Sequence, residues 1–413
     1  MNTTPHQPSL SASWLSDTRR PLTTMVGTNF LSLFSNQLTA IAVPWFVLTL
    51  TGSATRTGLT AAATILPAIF MSFFGGALVD RMSARKMSIF SDVVSGITVA
   101  FVPLLFAFDL LSFPLLLLLM FLGSVFDSPG STARGTMLPR LADRAGIPLE
   151  RVNSIYGVNQ SLTTLFGAAI AGMLVGTFGA VNVLWLNAIA FGVSGLGMLL
   201  FVPELGVVPP TGSTIMEDIR EGIGWLWQQQ ALRTIVFAAL IVNFVFSPVG
   251  AVVIPYFAKT EFGTATSLGL IMSGFGAGGL IGAIGYGALG TKIKRRTQIM
   301  GSLTVFTIPV LCMATLPNLW LAILLQVMVG IGVGAVNPMV STLLLTMTPT
   351  HMLGRVTGVF QAGAMVAAPI GVLIGGPIIS ILGLPGTFML FGSILAVLLV
   401  ALILNRSIHD LDT

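Results

Sequence analysis

Long apolar blocks separated by short polar ones set the pattern of this chain. A helix needs roughly 20 mostly apolar residues to cross a bilayer. Blocks of that length predict twelve spans, at 22–50, 57–79, 87–109, 113–136, 153–178, 181–203, 232–258, 265–289, 298–316, 319–347, 353–380 and 384–404. They fall six and six about a polar stretch, 204–231. Within it Thr214 and Glu217 have the spacing of a capping box, and Ile215, Ile219, Ile223 and Leu226 recur at helical spacing. That predicts a short amphipathic helix on the membrane surface. The expected organisation is a tail (1–21), a six-helix bundle (22–203), a linker (204–231), a second six-helix bundle (232–404) and a tail (405–413).

The halves echo one another. Residues 76–86 read Gly-Ala-Leu-Val-Asp-Arg-Met-Ser-Ala-Arg-Lys, and residues 287–297 read Gly-Ala-Leu-Gly-Thr-Lys-Ile-Lys-Arg-Arg-Thr. Both are basic loops between apolar blocks, about half a chain length apart. Two similar membrane-embedded halves around one cavity are the simplest reason for such a repeat, and this is how many transporters are built.

Composition narrows the class. The apolar fraction is 54% and the charged fraction 8%, against about 25% charged in soluble domains. Too few charges remain to cover a water-facing surface, so lipid is the expected solvent. The 46 glycines suit helices that approach closely in a membrane. One cysteine, Cys312, excludes a disulfide within the chain and a cysteine-based metal site. Residues 1–20 lack the apolar core of a signal peptide, so the first span is expected to persist.

The net charge of +5 is a topology signal. With both termini inside, only Arg56 and Lys259 of the 19 basic residues face outward, as the positive-inside rule requires. Nucleic acid is not an expected partner, because Glu217, Asp218 and Glu221 make the linker helix acidic.

Gly76, Leu78, Asp80, Arg81, Arg85 and Lys86 make up a Gly-x-x-x-Asp-Arg loop after the second span, and the chain resembles the major facilitator superfamily. Ser83 and Ala84 depart from that motif, where Gly and a basic residue are usual. Arg134, Met137, Leu138 and Pro139, followed by Glu150, Arg151, Val152 and Asn153, resemble its branch of bacterial drug and siderophore exporters. That branch includes Tap-type, macrolide-efflux and enterobactin-export proteins. Val43-Pro44-Trp45 and Leu66-Pro67 extend the likeness along the chain. The resemblance implies an all-α membrane fold of two six-helix halves, sited in a bacterial inner membrane. It implies proton-driven export of amphipathic drugs by alternating access, with a monomer expected. It also implies that Asp80 caps the start of span eleven, where the helix dipole favours an anion and where Arg355 lies.

Two positions depart from the antiporters of that family. Gly167-Ala168-Ala169-Ile170-Ala171-Gly172 replaces their Gly-Pro-x-x-Gly-Gly, and Asn36 stands where Tap-like relatives carry Asp. Asn cannot exchange a proton.

An ionised side chain within a span costs about 2.5–3.5 kcal/mol on insertion scales, so each one asks for a reason. Asp92, Asp127 and Arg134 are the candidates. Asp127 and Arg134 lie seven residues apart, on one helix face. Asp127 is either a protonation site or a latch to Arg81 or Arg85; Asp92 is either a proton carrier or a partner of the same loop arginines. The gating set is thus Gly76, Asp80, Arg81, Arg85, Lys86, Asp127, Arg134 and Arg355.

If the family architecture holds, spans one, four, seven and ten line the cavity. The candidates are Asn29, Asn36 and Gln37; Tyr156, Asn159 and Gln160; Asn243, Phe244 and Phe246; Gln326, Asn337 and Met339; and Gln361 and Met365. Amides, aromatics and Met suit a roomy amphipathic pocket, while each amide alone equally suits a helix–helix hydrogen bond. No Walker loop is present, and His6, His351 and His409 are isolated, so neither an enzyme, a cofactor nor a metal site is expected. The alternatives are a siderophore, lipid or metabolite cargo, or a non-transporting sensor, which the short tails disfavour.

Overall fold

The computed structural model describes residues 19–205, 215–290, 292–349 and 352–405, without the side chains of 72–81 and 215–219. Every regular element among them is helical. The first seven helices are α1 (Arg20–Thr51), α2 (Ala54–Arg81), α3 (Ala84–Ala107), α4 (Phe113–Val125), α5 (Asp127–Ala145), α6 (Leu149–Phe178) and α7 (Ala180–Phe201). Next come α8 (Ile215–Gln228), α9 (Gln230–Pro248), α10 (Ile254–Phe257), α11 (Ala265–Leu289), α12 (Arg295–Cys312), α13 (Leu319–Met347), α14 (Leu353–Met365) and α15 (Ala368–Leu404). Ten helical runs among the described residues are long and apolar enough to cross a membrane. Large side chains such as Trp320 (76% exposed) and Ile381 (80%) face outward, which only lipid makes tolerable.

Prolines explain where runs depart from simple helices. The fourth predicted span continues to Ala145 but breaks at Phe126 into α4 and α5. Pro129 lacks the N–H that would bond the Val125 carbonyl, and its ring crowds that carbonyl. Asp127 therefore opens a new helix, whose first turn favours an anion. The run Gln230–Phe262 contains π-helical turns at Val249–Val253 and Ala258–Phe262, after Pro248 and around Pro255, each of which removes a ladder donor. Within α15, Gly383 takes φ 66° and ψ 179°, so two helices meet there at a sharp bend.

Helices before residue 205 pack chiefly on one another, as do those after residue 230. Glycines let the two groups meet. A Cβ on Gly172 of α6 would lie 2.6 Å from the Ala265 carbonyl oxygen and 2.6 Å from the Gly269 Cα of α11. One on Gly276 would lie 2.4 Å from the Thr164 oxygen, and one on Gly376 of α15 would lie 2.4 Å from the Thr55 Cα of α2. Lys259 adds a bond to Thr49 at 3.2 Å and sits over the Trp45 ring at 4.6 Å. Most of these joins lie towards the end of the bundle that carries the turns at Gly52, Gly179 and Gly263.

The predicted amphipathic helix is α8. It is docked rather than free: Glu221 pairs with Arg355 of α14, and Gly222 lies against the Arg355 carbonyl.

Candidate functional site

Small residues bring α3 and α5 together. A Cβ on Gly130 would fall 2.3 Å from Ser91 Oγ, so no larger residue fits there. One turn along α5, Arg134 reaches across. Its Nη2 donates to Asp92 Oδ1 at 2.5 Å, and its Nε donates to Ser88 Oγ at 3.0 Å. Ser194 of α7 donates to Asp92 Oδ2 at 2.6 Å, and Ser32 of α1 donates to Oδ1 at 3.4 Å. Asp92 is 1% exposed and Arg134 3%. Four helices are thus tied by one ion pair and three hydroxyls.

This arrangement corrects the expected pairing of Asp92 with Arg85. Asp92 lies two turns inside α3, and its carboxylate is taken by Arg134, Ser194 and Ser32. Arg85 instead donates to the carbonyls of Met198 (3.4 Å) and Leu199 (2.5 Å), satisfying the end of α7. Lys86 pairs with Glu204 at 3.2 Å. A latch between Asp127 and Arg85 is likewise not formed. Gly76, Asp80 and Arg81 fall in the segment whose side chains lie outside the description.

Arg134 and Asp127 share α5, but Arg134 has turned to Asp92. Asp127 takes its hydrogen bonds from Asn36 of α1, whose Nδ2 lies 3.3 and 3.2 Å from the two carboxylate oxygens. Unlike Asp92, Asp127 is only half-buried.

The second half holds a cavity of about 610 Å³. Asn243 and Phe246 of α9, Asn337 and Met339 of α13, and Gln361 and Met365 of α14 line it together. Its wall also takes Ser302 and Phe306 from α12 and Leu398 from α15, which the sequence reading did not include. Among the described residues, no side chain in the lining carries a charge. Phe244 and Gln326 do not reach this lining: Gln326 is buried elsewhere in α13, and the Phe244 backbone abuts Gly371 of α15.

The first-half amides behave differently. Tyr156 Oη donates to Asn29 Oδ1 at 3.0 Å, Asn159 Nδ2 to the Val26 carbonyl at 3.1 Å, and Gln37 Nε2 to the Thr163 carbonyl at 3.5 Å. These bonds join α1 to α6. Asn159 also borders a smaller cleft of about 300 Å³ beside Val26 and Phe30. Gln160 is exposed on α6.

Two things escaped the sequence. Of the hydroxyls around the Asp92–Arg134 pair, Ser88 recurs with Ser91 and Ser95 on one face of α3, but Ser32 and Ser194, which bond Asp92, lie far off in sequence and had no local signal. The Asn36–Asp127 contact spans 91 residues and had no local signal.

Comparison with known proteins agrees with this architecture. The profile of the Major Facilitator Superfamily matches residues 25–252 and 235–411. The multidrug efflux pump Tap of Mycolicibacterium fortuitum is 33% identical over 385 residues, covering 91% of this chain and 93% of that protein. Macrolide efflux protein A of Streptococcus pyogenes is 21% identical over 393 residues, covering 92% and 95%. Among solved structures, the nucleoside transporter NupG superposes with a TM-score of 0.79 at 12% identity, covering 92% of this chain and 98% of that one. A bacterial homologue of the human lysosomal transporter Spinster, inward-facing and unoccupied, superposes with a TM-score of 0.72 at 13% identity, covering 97% and 99%. These matches, over nearly the whole of an all-helical, lipid-facing chain, place it: it belongs to the Major Facilitator Superfamily and is a multi-pass membrane transporter, not an enzyme.

Proposed function

We propose that this protein exports amphipathic small molecules from a bacterial cytoplasm, by proton antiport with alternating access. The observation that carries the reading is the cavity in the second half. Its volume of about 610 Å³ lies within the range of about 300–1,000 Å³ usual for drug-sized ligands. Phe246, Phe306, Met339 and Met365 supply adaptable apolar surface, and Asn243, Asn337, Ser302 and Gln361 supply hydrogen bonds without charge. A dianionic cargo would find no cation there. The efflux function of the Tap and macrolide relatives supports the same direction of transport.

In this reading the chain makes twelve spans, six before the linker (22–203) and six after it (232–404), with both termini cytoplasmic. The two groups of helices are the moving bodies. Joins at the Gly52–Gly263 end and a cavity lined by residues 235–246 of α9 and by α14 along its length support an inward-facing state. Asp80 and Arg355 belong to the gate that closes that side. Protons enter through Asp127.

The test is drug accumulation in efflux-deficient bacteria expressing the protein, across macrolides, tetracyclines and cationic dyes, with and without a protonophore. Lowered accumulation that the protonophore restores is the expected result. No change across the panel, with the protein present in the membrane, overturns broad export and leaves a narrow siderophore, lipid or metabolite cargo.

A further inference from the structure

The first half contains two acidic side chains within its spans whose partners differ in kind. Asp92 faces a guanidinium, which cannot give up its proton. Protonating Asp92 would leave Arg134, itself 3% exposed, as a buried cation without its counter-ion. Asp92 has no route to that state that keeps its surroundings satisfied.

Asp127 faces an amide. Asn carries a donor and an acceptor on the same carbon. With Nδ2 toward Asp127, as observed, it donates to the carboxylate. Turned by half a revolution about its Cβ–Cγ bond, it presents Oδ1 and accepts from the O–H of the carboxylic acid. The same neighbour satisfies both protonation states. Asp127 is also half-buried, so a proton can reach it, and it opens α5, where helix N–H groups favour the anion. Arg134 and Asp92 act on it through space without touching it. Asn36 from α1 brings no charge, and on α2 the acidic and basic groups nearest in sequence to the loop, Asp80 and Arg81, lie outside the described side chains.

We infer that Asn36 is the positioning residue of a proton site at Asp127: its amide holds the carboxylate when the site is empty and, turned over, holds the acid when it is loaded. One proton binds one carboxylate oxygen and leaves from it, and Asp92–Arg134 stays ionised as a fixed strut. This rests on the proton-antiport reading for its purpose, but the chemistry at Asp127 is measurable without transport.

The experiment is an infrared titration of the whole protein in liposomes, from about pH 4 to about pH 9, the range over which perturbed carboxyls titrate. The carboxylic C=O band that vanishes in Asp127→Asn is the band of Asp127. In Asn36→Leu its midpoint should move to higher pH by about one unit, a tenfold change in proton affinity, because the charge-assisted bond lost by the carboxylate is stronger than the neutral bond lost by the acid. The band itself should move to higher frequency, since the acid has lost its acceptor. Asn36→Gln, which keeps both groups, should restore the hydrogen-bonded frequency, and Asn36→Ala, which removes the amide without adding bulk, stands in if Asn36→Leu does not fold. No Asp127 band, or a band that Asn36→Leu leaves unmoved in both position and frequency, overturns the inference. If the band moves as stated while export proves insensitive to a protonophore, antiport fails and the role of Asn36 stands.

Discussion

Glu221 of α8 forms an ion pair with Arg355 in the first turn of α14. The helix between the two halves is thereby bonded to the second. Both groups are partly solvent-exposed, and such a pair is worth about 0.2–1 kcal/mol. Glu221→Gln is therefore expected to lower thermal stability by a degree or two at most, and less in high salt. Gly222 is the firmer contact: a Cβ there would lie 2.9 Å from the Arg355 carbonyl oxygen. Gly222→Leu should free α8 from α14, which limited proteolysis of the linker would detect as faster cleavage.

The Asp92–Arg134 pair should behave oppositely. Removing one partner of a buried pair costs about 3–5 kcal/mol, because the other charge is left behind. Arg134→Leu is expected to lower the melting temperature in detergent sharply, and Asp92→Leu to do the same. The double variant should recover much of the loss, since two apolar side chains leave no orphan charge. Melting curves of the three variants give the coupling; additive losses would refute it.

Just after α7, Glu204 has a carboxyl held below its ordinary value of 4.5, first by a hydrogen bond from Ser83 and then by Lys86. A depressed folded value means the stabilisation is present above the unfolded value and is lost as pH falls through the folded one. Wild-type protein should thus lose melting temperature, relative to Glu204→Gln, as pH drops from about 5 to about 3. The group is fully exposed, so the difference should be small and screened by salt. Identical pH profiles for the two proteins would remove the contact.

Charge placed in the cavity should change what is carried. Asn337 lines it with Asn243 and Gln361, and the described lining residues carry no charge. Asn337→Asp is expected to raise KM for uncharged substrates about tenfold, since about 1.4 kcal/mol of binding is lost to a desolvated charge. It should spare or improve cationic dyes. Phe246→Ala and Phe306→Ala should weaken both kinds equally. Transport kinetics with one neutral and one cationic substrate separate these outcomes.

Much of the architecture was legible in the sequence because hydropathy is a local property. The apolar blocks and the linker helix follow from block length and side-chain type, while six residues that line the cavity, Asn243, Phe246, Asn337, Met339, Gln361 and Met365, came from the spans that the family resemblance places there. What was not legible depends on rotation about helix axes. Asp92 and Asp127 both looked like partners for a basic loop because that loop is close in sequence to the second span. In three dimensions Ser91 and Gly130 permit α3 and α5 to close, and that approach delivers Arg134 to Asp92 and leaves Asp127 to Asn36. Phe126 is another case: the fourth span reads as continuous over 113–136, whereas the structure breaks it at Phe126 and puts Asp127 at a helix start.

The glycine contacts between α6 and α11 make a lever. Gly172 meets Gly269 near one end of α6, and Thr164 meets Gly276 eight residues, or about 12 Å, along it. The far end of α6, at Leu149, lies about 35 Å from the first contact. If the Gly172 contact is the fulcrum, a wedge the width of one methyl at Gly276 is multiplied about threefold at the opposite mouth. Single-carbon changes at Gly276 would then act as a throttle on the width of the opening, in steps of a few ångströms, while touching nothing that a substrate meets.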